Sequence, residues 1–147
     1  MTRDEAAQLL VAAAEPRVTP FGRLIADEGR TWIRPSGRAA FPLIRDGRAE
    51  LYGRSVKLLI ESGAADRWNE QTLRMAAGVL AAAVEIVFRP GGAVREGVDR
   101  LAEDLSPLYP SDFVALPRSE QVKALRFCAL CGWTVVKAAC EWAKEAA

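Results

Sequence analysis

An all-α fold, a single-domain helical bundle of about five to six helices spanning residues 1–147, is what this sequence predicts. Three observations carry the prediction. Apolar residues recur at helical spacing over long stretches. Capping residues, prolines and glycines bracket those stretches. A length of 147 residues suits one domain and is short for two.

Thr2 followed by Glu5 fits a capping box and opens a first helix that Pro16 stops. Thr19 as cap and Pro20 at a first helical position start a short second helix that Gly29 can end. Between Gly29 and Gly47, "TWIR", "PSGR" and "AAFPLI" suggest a small hairpin, but Pro35 and Pro42 weaken paired strands. Residues 30–45 therefore read as irregular chain with short helical turns. Regular helix returns with "RAELYGRSVKLLIES", and Gly63 is its natural stop. "NEQTLRMAAGVLAAAVEIVF" is apolar almost all round and ends before Pro90, the pattern of a helix at the centre of a bundle. "GAVREGVDRLAEDL" follows with Val94, Val98, Leu101 and Leu105 on one stripe. A proline-marked connection from Ser106 to Pro117 leads into a last helix that runs to about Ala143.

Half of the residues are hydrophobic and 27% are charged, the balance of a soluble globular chain long enough to bury a core without staples. The apolar stretch from Met75 to Phe88 is broken by Glu85 and too short to span a bilayer, so no membrane partner is expected. "MTRDEAAQLL" lacks the basic start and cleavage site of a secretory signal, which makes the cytoplasm the expected compartment. Three cysteines, an odd number, do not suggest a secreted disulfide framework. Sixteen arginines against four lysines, with abundant alanine, also fit a GC-rich bacterial or phage genome.

"CALCGW" at 128–133 places two cysteines at metal or redox spacing in a chain without histidine. A structural zinc site needs four cysteine or histidine ligands. All three cysteines fall in the last helix, where Cys131 and Cys140, nine residues apart at about 100° per residue, point to opposite sides. A redox pair gains reactivity at a helix N-terminus, whereas Cys128 lies more than two turns past Ser119. Leu125, Cys128, Gly132, Val135 and Ala139 instead form a stripe of modest and small residues suited to close helix packing, so the cysteines are expected in the core and no metal or cofactor is expected.

No other stretch argues for an enzyme. Without histidine, Ser-His-Asp and Cys-His arrangements are excluded. "RPGGAV" lacks the lysine and hydroxyl of a phosphate loop and reads as a turn. Glu103 and Asp104 are neighbours on a helix and do not converge on one ligand. Glu85, alone in an apolar helix, calls for an arginine partner.

The net charge of +1 hides an asymmetry: residues 17–57 carry nine basic side chains against four acids, a local balance of +5. Guanidinium forks bind phosphate and aromatic rings offer faces to unstacked bases. "GRTWIRPSGR" lies in the most irregular stretch, so Arg30, Arg34, Arg38, Arg45, Arg48 and Trp32 are the candidate nucleic-acid-binding residues. With no recognition-helix or zinc-finger signature, such binding is expected to be backbone-directed and sequence-tolerant.

The closing segment "SEQVKALRFCALCGWTVVKAACEWAKEAA" is a long alanine-rich helix with aromatic residues spaced towards its end. Together with the length and the all-helical layout, it resembles the small subunits of CRISPR effector complexes. The resemblance implies a non-catalytic helical protein of an antiviral defence complex that stacks along a guide–target duplex and touches nucleic-acid backbone through basic residues. It covers the last segment and the general architecture, and no residue role is carried over. The expected partners are other protein subunits and RNA or DNA backbone, and self-association is compatible with such a role. A second expectation is a protein-binding regulator or inhibitor, anchored by apolar residues in "SPLYPSDFVALP", with Tyr109 and Phe113 foremost.

Overall fold

A capping box opens the first helix, as Thr2 and Glu5 predict. The Glu5 amide donates to Thr2 Oγ1 at 3.1 Å and the Thr2 amide donates to Glu5 Oε1 at 3.2 Å. The Thr2 amide, and the Thr2 hydroxyl that donates to the same oxygen at 3.0 Å, hold the Glu5 carboxyl below its ordinary pKa. The computed structural model describes residues 1–14, 47–89 and 93–146. They form α1 (Arg3–Ala14), α2 (Gly47–Glu61), α3 (Glu70–Val87), α4 (Val94–Glu103) and α5 (Arg118–Ala146). Two short 3-10 turns, Ser106–Leu108 and Phe113–Ala115, lie between α4 and α5. No strand occurs among the described residues, and the bundle is all-α. The helix expected from Pro20 and the irregular segment at 30–45 lie outside the described residues.

Several of the described helix boundaries have a local cause. Gly63 ends the turn after α2 with a φ of 82°, a left-handed conformation that side chains disfavour. Asn69 caps α3, its side-chain oxygen accepting the Thr72 amide at 2.9 Å. Asp104 Oδ1 accepts the Ser106 amide at 2.9 Å and turns the chain out of α4; hydrogen bonds from the Ser106 hydroxyl and then from its amide lower the Asp104 pKa. Arg3 grips Asp66 through two bonds of 2.9 Å, tying the start of α1 to the turn between α2 and α3.

α3 is the central element, in contact with all four other helices. Leu73, Ala76, Ala77, Leu80, Ala83, Val84 and Val87 are buried along it. Burying one such leucine or valine stabilises the fold by about 1.5–3 kcal/mol. The hydroxyls of Tyr52 and Ser55, taken into the core, are both satisfied. The Tyr52 hydroxyl, fully buried on α2, donates to the Leu10 carbonyl at 2.6 Å, and Ser55 donates to Leu51 at 2.7 Å. α4 lies so close to α3 that a β-carbon at Gly97 would collide with the Val87 carbonyl, whose carbon is 2.6 Å from that position. Of the α4 stripe, Leu101 is fully buried, Val98 and Leu105 pack against the core, and Val94 stays exposed at the first turn.

Candidate functional site

Arg30, Trp32, Arg34, Arg38 and Arg45 lie outside the described residues. Arg48 is the member of the predicted set whose surroundings are described, and it faces the bundle. Its Nε lies 3.4 Å from Glu85 Oε1, a charge contact without hydrogen-bond geometry, and its guanidinium stands 5.7 Å from the centre of the Phe88 ring. Glu85 therefore has the arginine partner its position calls for, at a half-exposed edge of α3 and not in the core. Two further cations of the basic segment are also paired. Arg54, almost buried, donates to Glu145 at 2.6 Å and lies 3.4 Å from Glu50, with the Trp142 ring 5.8 Å from its guanidinium carbon. Lys57 reaches Glu61 at 3.9 Å. The hydrogen bond from Arg54 lowers the Glu145 pKa, whereas burial raises that of Glu50.

The cysteine pair is packing. Cys128 and Cys131 are buried, and the Cys128 thiol donates to the Leu108 carbonyl at 3.3 Å. Burial pushes the Cys128 thiol up and that of Cys131 to about 12, the reverse of an activated thiolate. Cys140 corrects the expectation for the third cysteine: half a turn of phase from Cys131, it is exposed. Among the described residues, no three potential ligands gather for a metal.

Two surface features stand out, both involving α5. The first is an open groove of about 780 Å³ between α3 and α5, floored by Val79 and Phe127 and walled by Met75, Leu108, Tyr109 and Leu116. The connection that forms its wall is held to α5 by Gln121, whose Nε2 donates to the Phe113 carbonyl at 2.9 Å. Tyr109 and Phe113, the two predicted anchors, stack with ring centres 4.9 Å apart, and Val114 beside them is 90% exposed.

The second is the outer face of α5. Trp133 stands there 50% exposed. On a regular helix Arg126, Lys137 and Lys144 fall within about 40° of it, and Glu141 lies about 80° away. All three cations are exposed, and none forms an ion pair or hydrogen bond through its side chain among the described residues. Sequence reasoning placed the basic face between residues 17 and 57 and missed this one. The wheel of α5 carries the signal, although local charge counting hides it, because Glu120, Glu141 and Glu145 lie on the same helix at other angles.

No family model, curated protein or solved structure matched the chain.

Proposed function

We propose that the chain is a non-catalytic helical subunit of a larger nucleoprotein assembly, in the manner of a CRISPR effector small subunit, holding nucleic-acid backbone through its arginine-rich segment. The charge asymmetry supports this reading, and the described structure sharpens it. Of nine basic residues between 17 and 57, Arg48, Arg54 and Lys57 are engaged with carboxylates of the bundle. On this reading the phosphate contacts fall to the remaining six, Arg30, Arg34, Arg38 and Arg45 foremost, with Trp32 as the aromatic among them in sequence. A salt titration of binding to single-stranded and duplex RNA and DNA tests it. Affinity should fall steeply with salt, and reversing Arg34 and Arg38 to glutamate should weaken binding uniformly across sequences and flatten the salt slope. Unchanged affinity and slope in that variant would remove the segment from the site.

The groove favours a second reading, a protein-binding regulator. Its apolar walls run along three turns of α3, from Thr72 to Ala82, and suit the apolar face of a partner's helix. Under this reading Met75→Lys and Tyr109→Ala abolish capture of a partner that co-purifies with the native chain and leave nucleic-acid affinity unaltered.

A further inference from the structure

The geometry points to a second nucleic-acid surface that the charge balance does not reveal: the outer face of α5 binds a single strand, with Trp133 as the stacking platform and Arg126, Lys137 and Lys144 as the phosphate contacts. The inference shares its ligand class with the proposed function and uses different residues, so each stands or falls alone.

Three features of the face fit this occupant. First, its charge is predominantly positive, three cations against the single carboxylate of Glu141. Arg126, Lys137 and Lys144 point the same way as Trp133; the nearest carboxylate, Glu141, lies four residues from Lys137 and three from Lys144 and pairs with neither, and the other acids of the helix are engaged elsewhere. Glu120 pairs with Lys123 at 3.4 Å and Glu145 with Arg54 at 2.6 Å. An exposed cation on a globular helix commonly finds an acid three or four residues away, as Arg74 does with Glu70 at 2.6 Å. The three cations of the outer face make no such pair. Their field is left for a polyanion.

Second, the tryptophan lies between the cations. It is the most exposed aromatic side chain among the described residues that fall in a helix, whereas Trp68 and Trp142 pack against Phe127 and Phe88 with ring centres 5.3 and 6.2 Å apart. An indole face open to solvent between phosphate-binding side chains is the arrangement that stacks an unpaired base. Duplex DNA or RNA, whose bases are stacked on each other, offers no free face for it.

Third, the length suits a strand. From Arg126 to Lys144 the helix advances about 27 Å, enough to track several nucleotides. An apolar partner would have to bury three unpaired cations against itself, at a cost that a polyanion avoids. Anionic membrane would attract the same charge and also accepts Trp at its interface, so phosphatidylserine vesicles are titrated alongside the strands.

The experiment is fluorescence anisotropy of labelled 20-nucleotide single strands, DNA and RNA, with the native chain, with R126E/K137E/K144E, with W133A and with R34E/R38E. All variants are first matched for melting temperature. The α5 triple reversal should lose most of the affinity, and its log K against log salt slope should flatten by about 2, given about 0.7 per neutralised phosphate on a single strand. W133A should lose at least about fivefold and leave the slope unchanged. The charge-conserving variant R126K/K137R/K144R should bind as the native chain does.

Native-like binding by the α5 reversal, alongside loss in R34E/R38E, overturns this surface and leaves the arginine segment standing. The opposite pattern supports α5 and removes the segment. Absence of single-strand binding by the native chain overturns this surface and leaves the arginine segment to its duplex titration, and binding only to phosphatidylserine vesicles overturns this surface in favour of a lipid one.

Discussion

The inner and outer faces of α5 belong to one 29-residue helix and obey opposite rules. Inward it presents Cys128, Cys131, Val135, Ala138 and Ala139, all buried, none charged, and small enough for α2, α3 and α4 to come close. Outward it presents Arg126, Trp133, Lys137 and Lys144 to solvent. The inner face explains why the helix sits where it does; the outer face contributes almost nothing to folding. Residue types that do not serve the fold at a position are the ones most open to another use. Val135 and Lys137, two positions apart, show how abruptly the rule changes: one is fully buried and the other exposed.

That contrast can be broken most forcefully by giving both positions the same substitution. Val135→Asp places an unpaired carboxylate in the core and should cost more than about 3 kcal/mol or prevent folding, whereas Lys137→Asp should change stability by no more than about 0.5 kcal/mol. Urea midpoints would decide, and similar losses in the two variants would contradict the assignment of faces. Truncation comes next. Val135→Ala should cost about 2 kcal/mol through lost burial and the cavity left behind, and Trp133→Ala should again stay within about 0.5 kcal/mol.

Thiol chemistry sharpens the comparison without altering the fold. In the native chain at pH 8, Cys140 should react with a disulfide reagent within minutes, while Cys128 and Cys131 react only on unfolding. One fast equivalent out of three is the expected count. Three fast equivalents would mean that the inner face is open.

The smallest effect expected is a pH dependence at the polar edges. Asp66 and Glu145 are held below their ordinary pKa values by hydrogen bonds from Arg3 and Arg54. The stability they contribute is complete above the unfolded pKa values and is lost as the pH falls through the lowered folded ones. Glu50, raised by burial, has the opposite sign: its contribution is greatest in acid and is lost as the pH rises through its raised value. Glu5 and Asp104 are lowered as well, so four lowered groups against one raised group predict a modest net decline in urea midpoint from pH 6 to pH 3. Arg3→Met should remove the Asp66 part of that decline, so an unchanged profile in this variant would exclude the pair as its source.

The local grammar of the fold was legible in the sequence. The Thr2–Glu5 box, the stop at Gly63, the central apolar α3 and the packing role of Cys128 and Cys131 all follow from spacings within a few residues. Glu85 was legible in part: the sequence asks for an arginine, but only the tertiary fold selects Arg48 and leaves the pair at a half-exposed edge. Val94, which shares a stripe with buried residues, is exposed at the first position of its helix, and Leu125, in phase with Cys128 and Val135, is exposed two turns into α5. The groove was not legible at all. Tyr109 and Phe113 read as apolar anchors, but only Tyr109 lines the groove, whose other walls come from α3 and α5, far from it in sequence, and Gln121, eight residues from Phe113, fixes the connection. The outer face of α5 was hidden for a different reason: summing charge along the chain mixes sides of a helix that point in different directions.

Gly97 carries a consequence for how this chain can vary. Its close approach to the Val87 carbonyl leaves no room for a single methyl group, and backbone cannot turn aside as a side chain can. At Gly132 the added carbon would instead meet the tips of Leu105 and Leu108, which can rotate away. In a saturation mutagenesis library selected for folded protein, position 132 should therefore tolerate alanine, while position 97 should return glycine alone, a lineage marker that drift elsewhere in the sequence leaves untouched.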